Sequence, residues 1–524
     1  MGQYLNPDNE KFKQAIASQI YVDKTELIKY TNSVICTLNK YICVSRPRRF
    51  GKSIAAGMLE AYYSKGCDSN DMFIQFKLGQ SKDFEKHLNK YIVITLNIQE
   101  FLTNSKSMDE MFSLLKKRVL WELLEEYPDF RYFDETNLTW TMQDIYKYTK
   151  SSFIVIIDEW DCIFREYKND RQSQEQYLDF LRDFFKDKPY ISLAYMTGIL
   201  PIKKYGTHSA LNMFNEYSML EPGPLAEFVG FTQDEVSGLC NKYEMDISEM
   251  QSWYDGYRFD NNISIYNPKS VVSSLELRKY GNYWNKTETF EALRNYIDMN
   301  FEGLKDDVLR MMLGERIPIN SDIFTNDMVT FSNKDDVLTL LVHLGYLGYD
   351  SELKMAFIPN NEIRGEYVNA VSVSDWGEVS VALEKSAEMI QAIWEKREKV
   401  VAKFIEDSHF ETSYLQYNDE NALSYTISLA LYAARNYYTI IRELPSGKGF
   451  ADMVFVPKPK HKDKPALVVE LKWDKSANGA INQILEKQYC ESLKDYVGKI
   501  FLVGINYDKK TKVHKCIIEE YEKI

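Results

Sequence analysis

Two groups of side chains in this 524-residue chain have the types and spacing to handle phosphate. The first is Arg46-Pro47-Arg48-Arg49-Phe50-Gly51-Lys52-Ser53, followed further on by Phe153-Ile154-Val155-Ile156-Ile157-Asp158-Glu159. A Gly-Lys-Ser ahead of a helical segment lets backbone N–H groups and the Lys52 ammonium meet the β/γ-phosphates of ATP. The Ser53 hydroxyl meets Mg²⁺ there. Arg48, Arg49, Phe50, Gly51, Lys52, Ser53 and Ile54 are the expected nucleotide contacts. The apolar run ending in two acids has the form of a buried parallel strand that delivers carboxylates to its C-terminal edge. Asp158 is expected at the metal, and Glu159 is placed to orient or deprotonate the attacking water. Thr197, closing a neighbouring strand candidate, either senses the γ-phosphate or simply enters the Gly198 turn.

The usual loop of this kind opens with an earlier glycine, which permits φ > 0 and close backbone approach. Arg46 stands in that place, so the first half of the loop must be shaped differently, with Pro47 stiffening it. Arg46, Arg48 and Arg49 are expected to add three charges where an anion docks.

The second group lies near the C-terminus. Asp452 falls on one strand candidate and Glu470 and Lys472 on the next, spaced so that the last two share a face of the sheet. One carboxylate from each of two neighbouring strands, with a lysine beside them, suits phosphodiester cleavage with Mg²⁺. The hard cation takes oxygen ligands, here Asp452, Glu470 and the Leu471 carbonyl. Lys472 positions hydroxide or stabilises the charged transition state. Such acids beside Ala466-Leu467-Val468-Val469 are costly to bury without a metal or cationic partner. Gln483 on the next helix is a further catalytic candidate, and Glu420 a further metal ligand. The plain alternatives are an edge-strand Glu–Lys pair and a helix-surface glutamate. The lysine-rich loop 457–464 either tracks a nucleic-acid backbone or is a soluble hairpin tip.

Elements must bring these residues together. Residues 1–224 read as a P-loop NTPase domain with a helical lead-in over 1–40. Strand candidates at 41–45, 91–96, 153–157 and 191–197 alternate with helical segments at 54–64, 108–126 and 173–187. That rhythm predicts a parallel sheet with helices on both faces. Residues 225–375 read as a helical lid and a winged-helix-like connector. Arg258 in the lid either reaches the nucleotide or stacks on tyrosines at the surface. Residues 376–410 read as a solvated helical spacer packing one face, and 411–524 as an αβββαβ domain. Its strands are expected at 438–444, 450–456, 466–473, 499–506 and 513–519, with helices over 421–437 and from 477.

Bulk properties limit the classes open to the chain. At 45% hydrophobic and 27% charged it is an ordinary globular composition. A net charge of −13 argues against a nucleic-acid coat protein, although the region 440–524 is mildly basic. No apolar run approaches the ~20 residues that span a bilayer, and no secretory leader or myristoylation signal is read at the N-terminus. The seven cysteines form no C-x-x-C pair and the six histidines no metal-spaced cluster. Reduced thiols in a cytoplasmic protein without a structural zinc are therefore expected.

The chain resembles the bacterial AAA-ATPase-like proteins fused to a C-terminal PD-(D/E)XK nuclease-superfamily domain. The resemblance rests on Tyr21-Val22-Asp23-Lys24-Thr25, on the loop from Ser45 to Ser53, and on Ile157-Asp158-Glu159-Trp160-Asp161. It continues through Met196-Thr197-Gly198-Ile199-Leu200, Gly230-Phe231-Thr232, Trp253-Tyr254-Asp255-Gly256-Tyr257 and Ile358-Pro359-Asn360, and ends in Asp452 with Glu470-Leu471-Lys472. Within that family the loop without its first glycine is the usual form. Trp160 replaces a usual Tyr, and Gly449-Phe450-Ala451 replaces Gly-Arg-Ala, which removes one phosphate contact. The resemblance implies an ATPase with a nuclease-type domain. The leading expectation from the two groups of residues is ATP-dependent action on nucleic acid, DNA first, with the nucleotide cycle gating cleavage and self-association open. The alternative is a nucleotide-dependent switch that binds nucleic acid or a protein partner without cutting.

Overall fold

The apolar runs of the first 200 residues are buried nearly throughout, as parallel strands covered on both faces must be. In the computed structural model they are β1 (Tyr41–Ser45), β2 (Ile92–Asn97), β3 (Phe153–Asp158) and β4 (Ile191–Gly198). With β5 (Asn215–Tyr217) they make one parallel sheet in the order β2-β3-β4-β1-β5. The structure describes residues 2–202, 211–259, 263–284, 290–325, 328–374, 376–411, 427–446, 449–487, 493, 496, 498–508, 510–511 and 513–521. Glu420, expected as a metal ligand, lies outside them, as do residues 421–426 of the helix expected over 421–437, whose described part ends in the helical turn Tyr432–Asn436.

The strand order decides what the sheet can do. β4 lies between β1 and β3, with Val44 opposite Thr197 and Ile157 opposite Met196. The loop after β1, the acids after β3 and Thr197 therefore leave the sheet at one edge, where open α/β sheets bind ligands. Helices Lys52–Tyr63, Met108–Glu126 and Arg171–Phe185 make crossovers, the last two started by Ser107 and Asp170 side chains that accept first-turn N–H groups. Helix Leu138–Thr149 and the three-residue β5 have no counterpart in the sequence reading.

The helical lead-in is present as Glu10–Ile16 and Glu26–Val34. Ahead of it the chain runs along the free edge of β2, with Leu5 bridged to Ile94. The buried Glu122 carboxylate accepts the N–H groups of Gln3, Tyr4 and Leu5 at 3.0, 2.9 and 2.7 Å.

After β5 come helices Gln233–Tyr243, Ile247–Tyr254 and Pro268–Leu277. They pack with an antiparallel trio, β6 (Phe231–Thr232), β7 (Tyr257–Phe259) and β8 (Ile263–Tyr266), around Val236, Cys240, Met250, Tyr254 and Val271. β9 (Ile317–Pro318) is followed by helix Lys334–Leu344 and by the antiparallel pair β10 (Gly348–Asp350) and β11 (Met355–Phe357), the helix and wing read from the sequence.

The chain divides into two compact units, Met1–Gly365 and Glu366–Ile524. The second contains β12 (Tyr438–Ser446), β13 (Gly449–Pro457), β14 (Ala466–Trp473), β15 (Ile500–Asp508) and β16 (Val513–Tyr521), side by side in chain order. β14 and β15 are parallel and the other pairs antiparallel. Helix Ala477–Glu486 makes the parallel crossover and covers one face through Ile481 and Ile484 against Val454, Val468 and Leu502. The other face carries Met453, Val469, Leu471 and Ile505. Against it pack Met389, Ile393, Val401 and Ile405 of helices Gly377–Trp394 and Glu398–Glu411. The helical stretch expected to pack one face thus lays its apolar residues on this core, as two helices.

Candidate nucleotide and metal sites

The loop after β1 takes its left-handed turns at Arg49 (φ 68°) and Gly51 (φ 94°), and not at Arg46. An early glycine is therefore not required. The chain instead curls around Lys52, whose Nζ donates to the carbonyls of Arg46 and Pro47, both at 2.9 Å. Lys52 is buried, and desolvation lowers its pKa against the opposing pull of Glu159 and then Asp158.

Arg46 corrects the expectation of three cationic side chains at the anion. Its guanidinium is 0% exposed. Nη1 donates to the carbonyls of Ser45, Tyr217 and Ser218 at 2.9, 3.0 and 2.9 Å, and the Phe259 ring lies 5.0 Å away. Burial pushes this group down to about 10. Arg46 ties the loop to the end of β5, and Arg48 and Arg49 are the arginines of the loop that line the cleft.

That cleft has a volume of about 860 Å³, within the range of roughly 300–1,000 Å³ for small-molecule sites. Arg48, Arg49, Phe50, Gly51, Lys52, Ser53, Ile54 and Glu159 line it, together with the apolar side chains of Ile20, Tyr21, Val22, Phe231 and Val272. Lys24 ties its two walls: Nζ donates to the Glu227 carbonyl and to Glu235, both at 2.6 Å. Glu235 itself completes the capping box of helix Gln233–Tyr243 with Thr232. Arg258 is exposed in the middle of β7 and does not line the cleft.

At the sheet edge the Thr197 hydroxyl donates to Asp158, joining the ends of β3 and β4. Asp158 also accepts the N–H of Glu159 at 3.0 Å. Glu159 itself sits at φ 55°, a backbone region that non-glycine residues enter at a cost. Its carboxylate accepts a hydrogen bond from Arg165. Asp161, fully buried, accepts the N–H groups of Ile199 and Leu200 at 3.1 and 2.8 Å and lies 3.2 Å from Arg165 Nε. Neither Arg165 nor Asp161 was given a role from the sequence. Their signal is the four-residue spacing of an acid and a base on one helical turn.

In the second unit, Asp452, Glu470, Lys472 and Gln483 come together. Asp452 lies one step beyond the pair Met453–Val469, and its carboxylate accepts the Leu471 N–H at 2.7 Å. Lys472 Nζ donates to Glu470 Oε1 at 2.8 Å, and Gln483 donates to the same oxygen. Glu470 is 1% exposed, and its Oε2 has no partner among the described residues. Desolvation, then the nearby Asp452 charge, push its carboxyl up to about 7, against the pull of Lys472. A buried, unpaired carboxylate oxygen beside a second carboxylate is what a divalent cation fits. Among the described residues no third His, Cys, Asp or Glu joins them. Backbone carbonyls and water would complete the shell.

Residues 10–207 match the family described as predicted AAA-ATPase, and residues 420–516 match the PD-(D/E)XK nuclease superfamily. No curated protein matches the chain. Among solved structures, the Walker-type ATPase of Pyrococcus abyssi shares 13% identity at a TM-score of 0.35, over 66% of this chain and 94% of its own. The ORC2 protein of Aeropyrum pernix, solved as ADPNP–ADP complexes, shares 11% at a TM-score of 0.28, over 70% and 98%. The ORC1 protein of that organism, solved with DNA, shares 9% at 0.25, over 94% and 100%. Likenesses this distant carry no argument about function. No helix among the described residues is long and apolar enough to cross a membrane. The chain thus joins an AAA-ATPase-like domain to a PD-(D/E)XK nuclease-superfamily domain.

Proposed function

We propose that the protein binds and hydrolyses ATP in the cleft of its first unit and cleaves nucleic acid, DNA first, with Mg²⁺ at Asp452 and Glu470. The observation that carries the reading is that Lys472 and Gln483 hold one oxygen of Glu470 beside Asp452, while the other oxygen of Glu470 has no partner among the described residues. At the ATP site Lys52 and Ser53 bind phosphate and metal, Arg48 and Arg49 add charge, and the apolar side chains of the cleft take the base. Asp158 and Thr197 hold the metal side, and Glu159 orients water. Mg²⁺ would supply charge neutralisation and an activated water. In the second unit, Lys472 and Gln483 keep Glu470 Oε1 fixed while Asp452 faces it across the strands. The protein acts in the cytoplasm, and self-association belongs to the same proposal.

The test is incubation of linear and supercoiled DNA with Mg²⁺ or Mn²⁺, with and without ATP. Cleavage that Glu470→Ala abolishes supports the reading. ATP turnover should be lost in Lys52→Ala, and persistence there removes the ATP assignment. The second reading, binding without cutting, draws on Lys472 already neutralising one oxygen of Glu470, and on Phe450 in place of an arginine. DNA binding without cleavage under every condition supports it.

A further inference from the structure

The segment Tyr21-Val22-Asp23-Lys24-Thr25 lies outside the phosphate loop and the acids of the sheet edge, yet Asp23, Lys24 and Thr25 are all hydrogen-bonded. One oxygen of Asp23 accepts the Thr25 N–H and hydroxyl at 2.9 and 2.7 Å, and the other accepts the Lys77 N–H at 2.9 Å. The Thr25 hydroxyl accepts the Leu78 N–H at 3.2 Å. Lys24 thus stands between two anchored neighbours. Its ammonium donates to the Glu227 carbonyl and to Glu235 Oε2, both at 2.6 Å. The same glutamate oxygen accepts the Thr232 N–H at 2.8 Å, so one atom closes the helix cap and receives Lys24. The two side chains are 14% and 22% exposed, and a pair this shielded is costly to break from one side.

Glu227 and Glu235 bracket Phe228, Gly230 and Phe231, which line the cleft. Lys24 therefore holds this arc at both ends. Gly230 turns the arc at φ 113°, where an added Cβ would strike Ile265. Among the aromatic rings of the cleft, Phe50 and Phe231 are buried. Tyr21 packs on Phe12 and Phe76, with centroids 6.0 and 5.4 Å away. Phe228 is half-buried, and it follows directly on the carbonyl that Lys24 grips.

We propose that Lys24 is a positioning residue for the base of ATP: by holding both ends of the arc 227–235 it keeps Phe228 in the cleft as the stacking surface for the adenine ring. Stacking on an aromatic side chain gains from a ring already fixed, because a mobile one must be ordered as the ligand arrives. Lys24 acts through the arc, so the phosphates should not sense its loss. The inference rests on the cleft being the ATP site.

The experiment is calorimetric binding of ATP and of inorganic triphosphate, each with Mg²⁺, to the full chain. It compares wild type, Lys24→Met, Lys24→Arg, Glu235→Gln, Phe228→Ala and the double variant Lys24→Met/Phe228→Ala. Lys24→Met and Phe228→Ala are each expected to weaken ATP about ten-fold and to leave triphosphate within about two-fold of wild type. The double variant should be weaker than either single one by less than about three-fold, because the two residues act as a unit. Lys24→Arg keeps a cation for the same two acceptors and stays within about three-fold of wild type. Glu235→Gln preserves the cap and releases one end of the arc, weakening ATP about three-fold. Unchanged ATP binding in Lys24→Met overturns the proposal, as do additive losses in the double variant, or a Lys24→Arg loss equal to that of Lys24→Met. Triphosphate weakened as much as ATP also overturns it, since Lys24 would then touch phosphate or its loss would loosen the whole fold. Where triphosphate binds wild type too weakly to be read, the ATP values of the double-variant cycle decide alone. If circular dichroism shows Lys24→Met unfolded, the cycle is run with Glu235→Gln, and an additive loss with Phe228→Ala overturns the proposal. Failure of the ATP site itself reads differently: wild type then binds no ATP, or Lys52→Ala binds it equally well.

Discussion

Binding of a divalent cation to the nucleotide-free protein should displace a proton below neutral pH, by an amount that follows from Glu470. Its carboxyl is raised to about 7, so about nine-tenths of it is protonated at pH 6 and about one-tenth at pH 8. A carboxylate must be ionised to ligate. Mg²⁺ or Mn²⁺ binding at pH 6 is therefore expected to release close to one proton and to be about ten-fold weaker than at pH 8. Calorimetry in two buffers of different ionisation enthalpy counts that proton directly. Glu470→Gln should lose both the binding and the release. The metal-free protein carries the matching stability signature. The folded value lies above the unfolded one, so the contribution of neutral Glu470 is complete below the ordinary glutamate range. It is lost as pH rises through about 7. Ionisation at pH 8 costs the fold about 3 kcal/mol, and Glu470 is too buried for solvent screening to reduce this much. Hydrogen exchange along β14 should be faster at pH 8 than at pH 5 after correction for intrinsic rates, and metal should slow it. Equal affinity at pH 6 and pH 8 with no proton released would falsify the assignment of Glu470 as a ligand.

Three further substitutions test how the sites are held. Gly51→Ala meets no atom within 4 Å of the added Cβ, so its cost is that of φ 94° alone, about 1 kcal/mol. A small fall in melting temperature should accompany weakened ATP binding, and unchanged binding would mean the loop tolerates another shape. Glu122→Ala leaves three backbone N–H groups of the N-terminal edge segment, those of Tyr4 and Leu5 buried, without their acceptor, a loss of about 2–4 kcal/mol. Limited proteolysis should then cut near residues 3–5 long before the rest of the unit. Arg46→Met removes the donor to the Tyr217 and Ser218 carbonyls at a cost of about 2–3 kcal/mol. Hydrogen exchange should rise first in β5, and protection unchanged there would show that β5 is held by β1 alone.

Much of this architecture was legible because the strongest signals were continuous apolar runs. The strands 41–45 and 466–473 were read to the residue, because each opens on an apolar run that is buried on both faces. β5 was missed because three half-buried residues carry no periodicity. The nucleotide loop and the group around Glu470 were visible as residue types at fixed spacing. The partners of Glu159 were not, because Arg165 matters through a fixed Asp161, and that fixing comes from N–H groups nearly forty residues away at the end of β4. Backbone donors leave no mark in a sequence. The helices over 377–411 were legible as a charged helical stretch with one packed face, but the sheet which that face covers was not.

Arg46 joins these two lessons. A motif written as residue types implies that each position serves the ligand, so an arginine in place of glycine looks like an added phosphate contact. The physical requirement is narrower. Somewhere the loop must turn left-handed and leave room for an anion, and here Arg49 and Gly51 supply the turns. Once the first position is relieved of that duty, its side chain is free to bind elsewhere, and it binds carbonyls at the end of β5 that would otherwise lack a donor. The same reasoning separates the two acids most exposed to misreading. Glu159 accepts a hydrogen bond from Arg165 and still lines the large cleft. Glu470 is paired through one oxygen, and its second oxygen has no partner among the described residues. A divalent cation at Glu470 would therefore meet an oxygen already unpaired, and would require only that the carboxyl lose its proton.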